Sequence, residues 1–146
     1  MEKFIQPRGT GRTYNICKYA ITHNCDIVSP TTQAANFCML TIEKLCNLSN
    51  KKYILCKMDQ STGTILIFRN KEEDLIKIQC FGVKEYIRHY NGLYKDLPSI
   101  YIPQRREFVV DDIDQCMQIL FSDRIRACSI ESYDPADVAL KKESNE

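Results

Sequence analysis

The sequence predicts a small three-layer α/β domain, with a parallel core sheet and an antiparallel β-meander inserted into it. Strand-like and helix-like segments alternate over the first fifty residues, which favours parallel strands joined by helices. Residues 51–82 instead hold three short β-rich runs separated by tight turns, which is typical of a meander. The chain of 146 residues suits one domain. We place that domain at residues 1–131 and a polar tail at 132–146.

The first third of the chain predicts two strand–helix units. A short strand at 3–6 precedes a helix at 14–23, which Thr13 could cap and whose apolar residues recur at helical spacing. A buried parallel strand is expected at 26–29, before Pro30. The helix expected at 31–48 carries a broad apolar stripe, which indicates close packing against a sheet.

The rest of the chain continues with the meander and then returns to the core. Alternating apolar residues, turn residues and helical spacing define its segments. The expected elements are strands at 53–56, 64–68 and 75–81, a helix at 83–90 that stops at 91–92, a strand at 107–110, a helix at 113–121 and a strand at 125–130.

Composition narrows the classes of protein that the chain can belong to. A net charge of +1 excludes a global electrostatic attraction to nucleic acid, although it leaves room for a local basic patch. No apolar run approaches the length of about 18 residues that a membrane helix needs. The N-terminus lacks the apolar core of a secretory signal, so we expect a cytoplasmic protein.

Eight cysteines occur without any C-x-x-C spacing, and most lie within apolar runs. A disulfide framework is not expected in a cytoplasmic chain of this size. The cysteines are interpreted as small buried hydrophobic residues. The alternative is a zinc site built from His23, Cys25 and a distant cysteine.

A glycine-containing turn near the start, Gly9-Thr10-Gly11-Arg12-Thr13, lies between the first predicted strand and the first predicted helix. Glycines allow backbone N–H groups to converge on an anion, and a helix N-terminus adds partial positive charge. The turn therefore predicts a phosphate cradle. A simple turn before a helix is the alternative, because Gly-x-Gly is common in such places.

Two carboxylates, Asp111 and Asp112, follow the apolar strand predicted at 107–110. A carboxylate at the carboxyl end of a parallel strand faces the crevice where ligands bind, and it can hold Mg²⁺ beside a phosphate. The alternative is that one of the two residues caps the following helix. One residue could cap the helix while the other binds a ligand.

The segments Arg8-Gly9-Thr10-Gly11-Arg12-Thr13 and Phe108-Val109-Val110-Asp111-Asp112 together resemble two motifs of P-loop NTPases of the additional-strand type. More narrowly, they resemble small P-loop proteins of bacteriophages and mobile elements of low-GC bacteria. Those proteins open with an R-G-[TS]-G-K-T turn and carry a late strand that ends in D-[DN]. The resemblance covers residues 3–50 and 107–130, and residues 51–82 look like an insertion.

The resemblance implies a nucleotide-binding protein with ATP or GTP as ligand. It implies that the backbone of residues 9–13 holds phosphates and that Thr13 and Asp111 share Mg²⁺. Asp112 occupies the place of a water-activating glutamate and is the candidate catalytic residue. Ser129 matches a polar sensor in the strand at 125–130, or is an ordinary serine at a strand end.

Departures from the motif predict weak or absent hydrolysis. Gln6 stands at the place of the first motif glycine, and Arg12 replaces the motif lysine, which it does not match in shape. Asp112 is one methylene shorter than glutamate, which displaces a water-activating group by about an ångström and costs about a hundredfold in rate. The strand at 125–130 is followed by no further helix and strand of the usual core. The adenine or guanine base would therefore lack part of its binding surface unless a partner subunit or the meander supplies it.

Two other classes of function remain open. A non-catalytic scaffold of this kind could bind a protein, such as a host or defence enzyme that it inhibits. That alternative predicts an exposed apolar patch on the meander or beside Tyr86, Tyr90 and Tyr94. Single-stranded nucleic acid could contact Tyr94, Tyr101 and the pair at 105–106. In a homo-oligomer, the arginines at 124 and 126 could reach a neighbouring subunit.

Overall fold

The computed structural model describes Phe4, residues 11–70, 74–94 and 107–121, Ala127 and Ser129. Within these residues the chain is a mixed α/β protein with an open five-stranded sheet and four helices. The elements are, in order, α1 (Arg12–His23), β1 (Asp26–Ser29), α2 (Thr32–Leu48), β2 (Tyr53–Asp59), β3 (Thr64–Arg69), β4 (Asp74–Gly82), α3 (Val83–Tyr94), β5 (Phe108–Val110) and α4 (Ile113–Phe121).

The sheet has the strand order β2-β3-β4-β1-β5. β1 is parallel to both of its neighbours, β4 and β5, whereas β2, β3 and β4 pair antiparallel. The predicted antiparallel meander is present, and the strands predicted at 26–29 and 107–110 pair parallel as β1 and β5.

The meander, which we expected as an insertion on the parallel core, is continuous with the parallel strands in one sheet. β4 is long enough to belong to both parts of the sheet. Its residues 74–79 pair with β3, and its residues 80–82 pair with β1. The backbone of Gln79, at the change from one pairing to the other, donates a hydrogen bond to Oδ1 of buried Asp26 at 3.0 Å.

Two apolar clusters hold the elements together. The larger one joins one side of α1 and α2 to inward-facing residues of β3 and β4, including Ile65, Ile67, Ile76 and Ile78. These isoleucines alternate along their strands as a half-buried sheet requires. The smaller cluster contains Val28 of β1 with Val83, Tyr86 and Cys116.

Three local expectations were wrong. α3 continues through Asn91 and Gly92, because these residues lower helix propensity by at most about 1 kcal/mol each and do not block a helix as proline does. Thr13 is not the cap of α1, whose N-cap is Gly11. Tyr86, expected on an exposed patch, is buried.

Several predicted features lie outside the described residues. They are the strand at 3–6 apart from Phe4, the strand at 125–130 apart from Ala127 and Ser129, the pair at 105–106 and the tail at 132–146. Phe4 itself packs edge-on against Tyr19 of α1, with ring centroids 5.9 Å apart. No helix among the described residues is both long and apolar enough to cross a membrane.

We expect Gly63→Ala to destabilise the protein by about 3 kcal/mol. Gly63 has a φ of +67°, and an added Cβ would lie 2.4 Å from the carbonyl oxygen of Cys80. Both the backbone conformation and the collision with main chain oppose a side chain there. Chemical denaturation measures the loss. The neighbouring exposed variant Thr62→Ala should change stability by no more than about 0.5 kcal/mol, and equal midpoints for the two variants would contradict the prediction.

Candidate functional site

The candidate site lies at the edge of the sheet where β1 and β5 both end. Val110 of β5 is in register with Val28 of β1, and the Asp111 N–H donates to the Val28 carbonyl oxygen at 2.8 Å. This bond extends the ladder by one residue and sets Asp111 beside the end of β1. Crevices outside the carboxyl ends of parallel strands are the usual ligand sites of open α/β sheets.

Thr13, in the first turn of α1, contacts Asp111 across this edge. Its hydroxyl donates to Oδ2 of Asp111 at 3.2 Å and lies 3.4 Å from Oδ1. The two residues are 98 positions apart in the chain. The structure therefore brings together the ends of the two motifs that we singled out in the sequence.

The start of α1 is shaped differently from the start of α2. Gly11 is the N-cap of α1 with φ 89° and ψ 20°, and it makes no side-chain cap hydrogen bond. In α2, by contrast, the Thr31 hydroxyl accepts a hydrogen bond from the Ala34 N–H at 3.1 Å. No atom of the described residues lies within 4 Å of a Cβ added at Gly11. N–H groups in the first turn of a helix carry partial positive charge and suit an external acceptor.

Asp111 is the buried charge of the site, with 9% of its surface exposed. Burial raises the pKa of the Asp111 carboxyl above its ordinary value. Hydrogen bonds from Thr13 and Cys38 oppose the shift, the charge of Asp112 adds to it, and the positive charge of Arg12 opposes it. A cation bound beside this carboxylate would favour its ionised form further.

Asp112 has the contacts of a helix-capping residue. Its Oδ1 accepts from the Gln115 N–H at 3.4 Å, and its carbonyl oxygen accepts from the Cys116 N–H at 3.1 Å. Its φ of 58° is in the left-handed region, which Asp tolerates better than most residues. These contacts support the capping alternative for Asp112, and its catalytic role stays a prediction.

The structure describes only some of the other residues that the sequence predicted at the site. Arg12 is partly exposed at the first position of α1, beside Thr13. Gly9 and Thr10 lie outside the described residues, and Ser129 is exposed.

The zinc alternative gains no support. Among the described residues, no group of three or more His, Cys, Asp or Glu side chains could hold a metal ion. Nδ1 of His23 lies 3.1 Å from the Tyr19 carbonyl oxygen, and the His23 ring stacks on Tyr19. The Cys25 thiol donates to the His23 carbonyl oxygen at 3.6 Å. Six of the seven described cysteines are buried, as expected, and Cys56 is exposed.

Sequence reasoning missed two residues that contact the site. The Cys38 thiol of α2 donates to Oδ2 of Asp111 at 3.7 Å, and its sulfur lies 3.4 Å from Oγ of Ser29. The sequence pattern assigns Cys38 to the apolar stripe of α2 and Ser29 to a buried strand. The one available signal was a hydroxyl at the carboxyl end of a buried strand.

Comparisons with known proteins do not assign the chain to a family. No protein-family model matches it, and neither a curated protein nor a solved structure is significantly similar to it.

We expect Asp111→Asn to be more stable than the wild type at neutral pH. Because the pKa of Asp111 is raised in the folded protein, this carboxyl contributes fully to folding stability at pH values below its pKa in the unfolded chain. That contribution to stability is lost as pH rises through the pKa in the folded protein, where the buried carboxyl ionises. The amide of asparagine does not ionise, so the variant does not lose this stability. Thermal unfolding at several pH values measures the difference, which should shrink in acid as the wild-type carboxyl is protonated.

The matched control is Glu107→Gln, which neutralises an exposed acid just before β5. It should show no such pH-dependent gain. An Asp111→Asn protein that is less stable than the wild type at neutral pH would contradict the argument from burial.

Proposed function

We propose that this protein binds a nucleoside triphosphate, ATP or GTP, together with Mg²⁺ and hydrolyses it weakly or not at all. The observation that carries the proposal is the hydrogen bond from Thr13 at the start of α1 to the buried carboxylate of Asp111. The bond brings a helix N-terminus, which favours anions, within hydrogen-bonding distance of a carboxylate. Phosphate and its magnesium ion need those two features side by side.

Thr13 and Asp111 are suited to share the magnesium ion. Because the Thr13 hydroxyl directs its proton toward Asp111, its oxygen lone pairs are left for a cation. Mg²⁺ binds oxygen ligands and is typically held by one or two carboxylates, phosphate oxygens and water. A site with only two protein ligands is therefore sufficient when the nucleotide supplies the others.

Residues 9–13 and the first turn of α1 would bind the phosphates. The N–H groups at the start of a helix carry partial positive charge, and no atom of the described residues would block an anion at the Cβ position of Gly11. Arg12 adds a full positive charge whose effect reaches Asp111. Its guanidinium can pair with phosphate through two hydrogen bonds.

Weak hydrolysis follows from the position of Asp112. Its carboxylate contacts the start of α4, and it is shorter than the glutamate that usually activates water. A misplacement of about an ångström costs about a hundredfold in rate. A cytoplasmic location fits the proposal, because nucleotide and magnesium are available there. An origin in a phage or mobile element also fits the proposal.

The second candidate is a protein-binding module, for example an inhibitor of a host or defence enzyme. It is favoured by large apolar side chains that are exposed near the end of the sheet. Phe108 of β5 is 47% exposed, and Ile113 and Phe121 of α4 are 51% and 64% exposed. Phe108 lies beside buried Tyr86, with ring centroids 5.0 Å apart.

Calorimetric titration with ATP, in magnesium and in EDTA, tests the nucleotide proposal. The wild type should bind saturably and more tightly with magnesium. Arg12→Ala should weaken binding by about tenfold or more in both conditions, because a charged hydrogen bond to phosphate is lost. Thr13→Ala should lose mainly the advantage that magnesium gives.

Lys18→Ala is the matched control, since it removes an exposed positive charge from the same helix away from its first turn. It should bind like the wild type. A wild-type protein that shows no saturable binding at millimolar ATP would overturn the proposal and leave the protein-binding candidate.

A further inference from the structure

Asp111 receives a second hydrogen bond from a residue that no sequence motif singled out. The thiol of Cys38, on α2, donates to Oδ2 of Asp111 at 3.7 Å. Cys38 is fully buried, and it lies on the side of Asp111 that belongs to the protein interior. The carboxylate is thus held between α1 and α2, at the end of β5.

The hydrogen bonds around Cys38 have a single consistent direction. An ionised carboxylate only accepts hydrogen bonds, so the one proton of the Cys38 thiol is directed toward Asp111. The contact between Ser29 Oγ and Cys38 Sγ, at 3.4 Å, must then be donated by Ser29. The chain of donors therefore runs from Ser29 to Cys38 to Asp111.

The fold fixes the two donors of this chain, Ser29 and Cys38. Ser29 is fully buried at the carboxyl end of β1, the strand that pairs with β5. The Cys38 carbonyl oxygen accepts from the Cys17 thiol of α1 at 3.7 Å. Cys38 is therefore held by contacts to two other elements, which restricts the positions that its sulfur can adopt.

The two oxygens of Asp111 are consequently not equivalent. Among the described residues, Oδ2 accepts from both Cys38 and Thr13, whereas Oδ1 has only the longer contact to Thr13 at 3.4 Å. With Oδ2 held on the interior side, Oδ1 is the oxygen with capacity for another partner.

We propose that Cys38, supported by Ser29, is a positioning residue that orients the Asp111 carboxylate so that Oδ1 faces the magnesium ion. This inference rests on the proposed function and deepens it. Residues that hydrogen-bond to a metal ligand fix its orientation, and their loss commonly lowers metal affinity by about tenfold or more. A thiol is a weak donor, so the effect should lie at the lower end.

The experiment measures the ratio of the ATP dissociation constant in EDTA to that in saturating magnesium. In Cys38→Ala this ratio should fall by about tenfold relative to wild type, while affinity in EDTA stays within about twofold. Cys38→Ser keeps a donor at the same position and should recover part of the ratio. If Cys38 served packing alone, Cys38→Ala would not weaken ATP binding selectively in magnesium, and Cys38→Ser would not restore the ratio.

Cys46→Ala is the control, because it truncates another buried cysteine about two turns further along α2. It should leave the ratio at the wild-type value. If Cys38→Ala fails to fold, Ser29→Ala removes the supporting donor and should lower the ratio in the same direction by a smaller factor. A wild-type ratio in Cys38→Ala, or in Ser29→Ala when it stands in for that variant, overturns the inference and leaves the proposed function intact. Absence of ATP binding by the wild type overturns both.

Discussion

The contact between Thr13 and Asp111 is the interaction on which the rest of the site depends. It joins the N-terminus of α1 to the carboxyl end of β5, two places that are 98 residues apart in the chain. Without it, the glycine turn would be an ordinary helix start and Asp111 an ordinary acid after a strand. With it, donors for an anion and an acceptor for a cation lie side by side, which is the arrangement that a magnesium-bound phosphate requires.

That arrangement opposes stability in the isolated protein. A carboxylate that is 9% exposed loses most of its hydration, and burial raises its pKa accordingly. The hydrogen bonds from Thr13 and Cys38 offset part of this cost. An apolar residue would fill the same space at lower cost, and under the proposed function a bound cation would offset the cost of the buried acid.

The meander contributes to the site through the sheet. β4 pairs with β3 along its first six residues and with β1 along its last three, so the antiparallel strands support the strand that carries Ser29. The junction is close-packed. A Cβ added at Gly82 would lie 2.9 Å from the Thr32 N–H nitrogen at the start of α2, the helix that carries Cys38. Displacement of the meander would therefore reach the site through both β1 and α2.

The sequence alone determined the mixed α/β class, the position of most elements and the two segments that form the site. Apolar spacing and turn residues are local signals, and β1, α2 and α4 follow them closely. Only the tertiary structure decided that β4 joins both parts of the sheet, that α3 continues through Gly92 and that Asp112 caps α4. It also decided that Cys38 contacts Asp111 and that Ser29 contacts Cys38. These outcomes depend on which residues become neighbours across the fold. A buried cysteine in an apolar stripe gives the same sequence pattern whether it fills space or orients a carboxylate.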